Sequence, residues 1–195
     1  MSAPWGSMFT MDEFLEELAF SDHKMEFYGG RIVDFAGGSI AHGDLCARLI
    51  VAFKLASRVG CRVLTSGVAV RIRTDAYLFP DLSYTCESID AAASAILAPT
   101  VLVEVISPHS SRRDRVEKLA AYRSLPSLRE YLIVDSRTPG VTLISRLSDG
   151  SLRQQDFGVA SPPGSEIAPG ASSAVVALET LDVRFALDEL YEGLF

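Results

Sequence analysis

The sequence predicts a mixed α/β sandwich in which a central sheet is flanked by helices. Three observations lead to this fold class: apolar residues recur at helical spacing after Ser39, several apolar runs have the length of strands, and helical and strand-like segments alternate along the chain. The 195 residues fit one domain, spanning 1–195, and 48% of them are hydrophobic. A sizeable core is therefore expected.

The first half of the chain gives a helix, a hairpin, a second helix and a group of strands. Thr10 and Glu13 form a capping-box pattern, which predicts the start of a short amphipathic helix. Two short runs around Gly29-Gly30 predict a hairpin, and Ser39 is placed to cap a long helix that ends before Gly60. Strand-like runs follow at 61–64, 68–72 and 78–84.

The second half alternates between buried strands and one further helix. The segment 88–98 is either a short helix or a loop, and the apolar run 101–106 is typical of a strand buried on both faces. Ser107-Pro108 ends that strand, and Ser110 or Ser111 can cap a helix over about 112–124. A buried strand at 131–134, a hairpin of 141–146 with 152–157 around Asp149-Gly150, a loop at 160–173 and a terminal helix at 187–194 complete the prediction.

Charge and cysteine content restrict the function classes. The net charge of −7 argues against a strong non-specific nucleic-acid binder, but a nuclease remains open because a metal site concentrates carboxylates. Cys46, Cys61 and Cys86 match no zinc spacing and cannot all pair, so buried free thiols in a reducing compartment are expected. The sequence shows neither a secretory signal nor an apolar run of about 18 residues, and we expect a cytoplasmic protein.

Two carboxylates occur where strands are expected to be buried. Asp81 follows Pro80 inside a strand-like run, and Glu104 lies in the middle of the apolar run 101–106. Burying an unpaired charge costs several kcal/mol, so Glu104 needs a partner. Either Glu104 forms an ion pair with a lysine or arginine, or it converges with Asp81 on a hard divalent cation such as Mg²⁺.

A possible cation for this site follows on the next predicted helix. Asp114, Lys118 and Tyr122 are spaced four residues apart and therefore share one helix face, from which Lys118 can project toward the carboxylates. The alternative is an exposed Asp114–Lys118 pair, worth a few tenths of a kcal/mol, with Tyr122 half-buried. The basic residues at the start of this helix either meet a phosphate backbone or form an ordinary exposed turn; they are Arg112, Arg113 and Arg115.

An ordered set of motifs resembles the Uma-type endonuclease family, within the PD-(D/E)XK restriction-endonuclease-like superfamily. The resemblance spans about residues 10–190. The matching residues are Glu26, His42, Pro80-Asp81-Leu82-Ser83, Glu104-Val105-Ile106-Ser107-Pro108, Asp114, Lys118, Tyr122 and Glu130-Tyr131-Leu132-Ile133-Val134-Asp135.

The resemblance implies a restriction-endonuclease-like fold and a phosphodiesterase that depends on Mg²⁺ or Mn²⁺. It implies that Asp81, Glu104 and the backbone carbonyl of Val105 bind the metal, while Lys118 stabilises charge in the transition state or positions the attacking water. One departure from the superfamily pattern is Ile106, which stands where a lysine is expected two residues after the glutamate. In this family a lysine on the next helix takes that place, and Lys118 is the residue that corresponds.

Three further residues are second-tier candidates. Glu26 either adds a carboxylate to the site or faces outward from a strand, and His42 is either a site neighbour or a structural histidine. Tyr122 completes the set, whereas His23 and His109 are expected at the surface. The expected substrate is nucleic acid, with DNA in the first place, and the alternative is a catalytically silent binding module that keeps the nuclease fold. A homodimer is expected by analogy alone, and a membrane partner is not expected.

Overall fold

The computed structural model describes residues 8–34, 38–106, 114–158 and 174–195. The helices are α1 (Met11–Phe20), α2 (Ile40–Ala56), a π-helical turn (Asp114–Lys118), α3 (Leu119–Tyr122) and α4 (Leu187–Tyr191). The strands of the first half are β1 (Met25–Tyr28), β2 (Arg31–Asp34), β3 (Arg62–Thr65), β4 (Ala69–Ile72), β5 (Ala76–Leu78), β6 (Leu82–Thr85) and β7 (Ala95–Ile96). The strands of the second half are β8 (Val101–Ile106), β9 (Glu130–Asp135), β10 (Gly140–Arg146), β11 (Leu152–Gly158), β12 (Val175–Leu178) and β13 (Val183–Ala186).

A six-stranded mixed sheet forms the centre of the fold, with the strand order β11-β10-β9-β8-β6-β3. Within it, β8 and β9 run parallel, and the other neighbouring strands run antiparallel. A second sheet has the order β2-β1-β5-β4-β7, and β12 pairs with β13 in a separate hairpin. The predicted fold class, a mixed sheet flanked by helices, is confirmed.

The central sheet buries both of its faces, as the apolar run of β8 predicts. Val103 and Val105 belong to the core shared with Leu49 of α2 and with the β12–β13 hairpin. Leu102 and Ile106 belong to the core shared with α3 and the five-stranded sheet. Because side chains alternate along a strand, Glu104 shares the face of Leu102 and Ile106.

Local sequence signals place the N-terminal elements as predicted. In the capping box of α1, the hydroxyl of Thr10 accepts from the Glu13 amide at 3.3 Å, and the Glu13 carboxylate accepts from the Thr10 amide at 2.7 Å. Ser39 caps α2 by accepting from the His42 amide at 3.2 Å. The hairpin of β1 and β2 turns at Gly29 and Gly30, which both have positive φ.

The predicted strand over 78–84 is wrong, because the chain there forms two strands in different sheets. β5 ends at Leu78 in the five-stranded sheet, and β6 begins at Leu82 in the central sheet. Pro80 has no amide hydrogen to give to a ladder, and the Phe79 amide donates to the Glu26 side chain at 2.8 Å. The chain thus crosses between the sheets at 79–81, which puts Asp81 immediately before β6.

Other differences concern the second half of the chain. The helix predicted over 112–124 is a π-helical turn followed by the short α3, and the segment 88–98 is irregular except for β7. The β12–β13 hairpin was not predicted. Residues 107–113 and 160–173 lie outside the described residues, together with the predicted caps, His109, Arg112 and Arg113, and the side chains of Asp114 and Arg115 are not described either.

The expectation of three free thiols is wrong for two of the cysteines. Cys61 and Cys86 form a disulfide, and Cys46 is free. The antiparallel register of β3 and β6 pairs Arg62 with Thr85, so the cysteines one step further lie opposite each other. Among the described residues, no helix is long and apolar enough to cross a membrane.

Candidate active site

Asp81 immediately precedes β6, and Glu104 lies in β8, the neighbour of β6 in the central sheet. In the register of β6 and β8, Leu82 pairs with Val103, so the neighbours Asp81 and Glu104 lie at the same end of this strand pair. The two side chains have different partners, since Asp81 contacts His42 of α2 and Glu104 contacts Lys118. Both carboxylates are buried, with 6% of Asp81 and 3% of Glu104 exposed. Asp81 thus lies just before a strand that neighbours the strand of Glu104, and a shared metal ion stays a prediction.

Asp81 is held by a backbone amide and by a histidine. Its Oδ2 accepts from the Val105 amide at 2.7 Å, and its Oδ1 lies 3.2 Å from His42 Nε2. His42 is in the first turn of α2, and its Nδ1 lies 3.8 Å from Cys46 Sγ, one helical turn further on. The hydrogen bond to Asp81, followed by the contact with Cys46, raises the pKa of His42 to about 10.

Glu104 belongs to a second group of buried charges, which we call the lysine cluster (Glu26, Glu104, Lys118 and Tyr122). Lys118 Nζ lies 2.8 Å from Glu104 Oε1 and 3.1 Å from Glu26 Oε1. The Tyr122 hydroxyl donates to Glu104 Oε1 at 3.0 Å. Only 2% of Lys118 is exposed, so this ammonium lies beneath the surface.

The local helix geometry brings Lys118 and Tyr122 to the same carboxylate. Lys118 ends the π-helical turn and Tyr122 ends α3, four residues later, so the two side chains share a face. The Tyr122 ring packs edge-on against Tyr131, with ring centroids 5.2 Å apart. Burial, and next the charge of Glu104, holds the pKa of Tyr122 well above its usual range, so the phenol remains a hydrogen-bond donor.

The two groups are electrostatic neighbours. Burial raises the pKa of the Cys46 thiol, and the charges of Asp81 and Glu104 both add to this rise. The ammonium of Lys118 contacts the carboxylates of Glu26 and Glu104, and the imidazole of His42 contacts that of Asp81. We treat both groups as one candidate site.

The sequence-predicted residues fall into place to different degrees. The described structure brings together six predicted side chains and the backbone of Val105; the side chains are Glu26, His42, Asp81, Glu104, Lys118 and Tyr122. His23 is exposed, as expected. Cys46 was missed, although its spacing of four residues from His42 on one predicted helix was a signal that could have found it.

A mixed central sheet flanked by helices is the fold expected of restriction-endonuclease-like nucleases. Residues 11–180 match the family model Uma2, which is described as "Putative restriction endonuclease". Because this match covers most of the chain, the protein belongs to the Uma2 family.

The chain is also similar to other sequences, and its fold is similar to that of a solved structure. The chain is 29% identical over 196 residues to the uncharacterized protein slr1290 of Synechocystis sp. strain PCC 6803, covering 99% of this chain and 96% of the relative. A second uncharacterized Synechocystis protein, sll1609, is 29% identical over 133 residues, which are 65% of this chain and 74% of the relative. The fold is similar to the crystal structure of "a putative nuclease belonging to DUF820" from Anabaena variabilis ATCC 29413, with a TM-score of 0.74, 16% identity and coverage of 96% of this chain and 99% of that chain.

Proposed function

We propose that the protein is an endonuclease that hydrolyses phosphodiester bonds of DNA and requires Mg²⁺, with Mn²⁺ as a substitute. One observation carries this proposal: Asp81 precedes Leu82, which pairs with Val103 next to Glu104, and Lys118 lies 2.8 Å from Glu104. Membership of the Uma2 family supports the nuclease class. We further propose that all 195 residues form one restriction-endonuclease-like domain.

The donor set fits a hard divalent cation. Mg²⁺ prefers carboxylate and carbonyl oxygens, and Asp81 and Glu104 supply two carboxylates on neighbouring strands. In antiparallel pairing the amide and the carbonyl of one residue face the same neighbouring strand. The Val105 amide donates to Asp81, so the Val105 carbonyl is the natural third ligand. When bound, the metal would polarise the phosphate and lower the pKa of the attacking water.

The surrounding residues orient these ligands. The Val105 amide and His42 fix one oxygen each of Asp81, whereas Lys118 and Tyr122 fix Oε1 of Glu104. Lys118 also supplies positive charge beside the carboxylates, where the phosphate is expected. Its role is then to offset the charge that develops on the phosphate, or to position the attacking water. This scheme needs no covalent intermediate.

The isoleucine at the usual lysine position is compatible with this scheme. Ile106 is fully buried in the core between the central sheet and α3, so a charged side chain there would meet apolar neighbours. Lys118 approaches Glu104 from the helical side of the same face. The cation thus comes from the helix rather than from the strand.

Cleavage of supercoiled plasmid DNA tests the proposal. The wild type is expected to nick or linearise the plasmid with Mg²⁺ or Mn²⁺ and to stop when the metal is chelated. Glu104→Gln is expected to abolish cleavage, and Lys118→Ala to slow it by about 100-fold or more, as for removal of one preorganised donor. Single-stranded DNA and RNA of the same sequence, tested in parallel, decide the substrate class. A folded wild type that cleaves none of these with either metal would contradict the proposal.

A second candidate function is a catalytically silent binding module with the nuclease fold. It is favoured by the lysine cluster, in which Lys118 contacts two carboxylates and only 2% of it is exposed. Such a module would retain the same DNA in a mobility-shift assay without cleaving it. The two functions are therefore distinguished by whether the protein cleaves DNA when a divalent metal is present.

Assembly and location remain proposals of the same kind. A homodimer is proposed by analogy with restriction-like nucleases. A cytoplasmic location is also proposed from the sequence, although disulfides such as Cys61–Cys86 are uncommon in reducing compartments. Sedimentation of the purified protein and thiol counting in cell extracts would test the two points separately.

A further inference from the structure

We propose that His42, Cys46 and Asp81 form a second metal site, specific for a thiophilic divalent ion such as Zn²⁺. One ligand atom from each of these residues lies within 4.8 Å of the other two. The site uses Asp81 together with a nitrogen and a sulfur ligand, and it does not use Glu104 or the Val105 carbonyl. It therefore overlaps the proposed Mg²⁺ site at Asp81 and differs from that site in its other ligands.

The helix geometry supplies two of the ligands from one face. His42 and Cys46 are four residues apart on α2, so their side chains lie one above the other. The hydroxyl cap from Ser39 fixes the first turn of the helix, and Gly38 packs against the His42 ring. A Cβ at Gly38 would lie 2.6 Å from His42 Nδ1, so a larger residue at this position would clash with the His42 ring.

The distances are close to those of a coordinated ion. Zinc bonds of about 2.0–2.3 Å put neighbouring ligands of a tetrahedral ion roughly 3.3–3.7 Å apart. His42 Nε2 and Asp81 Oδ1 are 3.2 Å apart, so the ion would replace the proton that they share, and binding would release this proton and that of the Cys46 thiol to solvent. The sulfur, within the 4.8 Å limit of the group, has to close by on the order of 1 Å, which a rotation of the Cys46 side chain can supply. Three protein ligands leave a fourth position for water.

The ligand types select the metal. Thiolate and imidazole favour Zn²⁺ and similar ions over Mg²⁺, which prefers oxygen. Because Cys61 and Cys86 are joined in a disulfide, Cys46 is the free thiol of the chain. If Asp81 is also a Mg²⁺ ligand, bound Zn²⁺ would take Asp81 away from the Mg²⁺ site and inhibit cleavage. This inhibition rests on the proposed function, whereas the Zn²⁺ site itself does not.

Titration with Co²⁺ alone, a spectroscopic substitute for Zn²⁺, tests the site without any activity assay. The wild type is expected to develop a thiolate-to-cobalt charge-transfer band in the near ultraviolet, which added Zn²⁺ removes. The band should disappear in Cys46→Ser and should weaken strongly in His42→Asn and Asp81→Asn. Asp44→Asn is the matched control, because Asp44 lies on the same helix, pairs with Arg48 and is not a ligand; its band should equal that of the wild type.

A second readout uses only the wild-type protein and therefore does not depend on whether the variants fold. Zn²⁺ is expected to protect Cys46 of the wild-type protein from labelling by a maleimide, whereas Mg²⁺ is not. A wild type with no charge-transfer band and no protection would overturn the proposal, as would a band that is unchanged in folded Asp81→Asn. A wild type that gives the cobalt band but does not cleave plasmid with Mg²⁺ or Mn²⁺ in the absence of Zn²⁺ and Co²⁺ would contradict the nuclease proposal and leave this site standing.

Discussion

At the scale of single residues, Lys118 is the buried cation of the lysine cluster. It separates two buried carboxylates, at 2.8 Å from Glu104 and 3.1 Å from Glu26. Removing one member of a buried ion pair leaves an uncompensated charge and typically costs about 3–5 kcal/mol. Lys118→Met should therefore lower the free energy of unfolding by about that amount, as measured by urea denaturation.

The matched second change is Glu26→Gln. In the double variant Glu26→Gln/Lys118→Met the cluster again carries one net negative charge, so a substantial part of the lost stability should return. Lys54→Met, at an exposed position of α2, serves as control and should change little. If the double variant is no more stable than Lys118→Met, the two groups are not coupled in the way the distances indicate.

Glu104 is expected to be important for activity but not for stability. In Glu104→Gln, Lys118 keeps Glu26 as its partner and Tyr122 can still donate to the amide oxygen. The free energy of unfolding should therefore stay within about 1 kcal/mol of the wild type, the size of one ordinary hydrogen bond, while cleavage is lost. A loss of about 3 kcal/mol or more would identify Glu104 as a structural ion-pair partner.

The sequence predicted these residues but only part of their pairing. An isolated glutamate in an apolar strand indicates that a partner exists, and the spacing of Lys118 and Tyr122 indicates a shared face. Nothing in the sequence distinguishes an ion pair with Lys118 from metal binding with Asp81, because both satisfy the same buried charge. In the structure Glu104 pairs with Lys118, and metal binding with Asp81 stays a prediction.

At the scale of elements, the crossing at 79–81 determines where the site lies. A proline between two apolar runs was visible in the sequence, but the long run concealed the change of sheet. The side chain of Glu26 takes the Phe79 amide at 2.8 Å, a contact between residues far apart in the chain that no local pattern predicts. The π-helical turn before α3 was missed because its apolar spacing resembles that of an α-helix.

The C-terminal helix α4 packs on the core of the central sheet, and one of its hydroxyls also bonds to that sheet. Tyr191 donates to the carbonyls of Asp135 at 2.7 Å and Gly140 at 2.9 Å, at the two sides of the β9–β10 turn. Tyr191→Phe should lower the free energy of unfolding by about 1–2 kcal/mol, the cost of leaving these acceptors without their donor. Chemical denaturation at neutral pH measures this difference.

The same bond predicts a pH dependence. Burial raises the pKa of Tyr191 from 10.0 to about 12, so the neutral phenol is favoured in the folded state. A raised pKa gives stability that is complete below the unfolded value and is lost as the pH rises through the folded value. The difference between wild type and Tyr191→Phe should therefore be constant up to about pH 10 and shrink toward pH 12. A difference that grows over this interval would contradict the assignment.

At the scale of the whole molecule, the predicted fold class is confirmed. The structure contains a second sheet and a separate hairpin that the sequence did not predict. Composition and the order of elements predicted a central mixed sheet with helices. They did not predict that β1, β2, β4, β5 and β7 separate into a second sheet, because sheet membership depends on pairing between distant strands. The β12–β13 hairpin was missed because its strands are short and half exposed. The disulfide was missed because it depends on the register of β3 and β6.

Calorimetric titration with Mn²⁺ tests the central claim that Asp81 and Glu104 hold one catalytic ion. The wild type and the control Asp44→Asn are expected to bind one ion per chain with the same affinity. Asp81→Asn and Glu104→Gln, verified as folded, should each lose that binding. Equal Mn²⁺ binding by the wild type and Glu104→Gln, or no binding by the folded wild type, would contradict the claim and favour a silent module built around a buried ion pair.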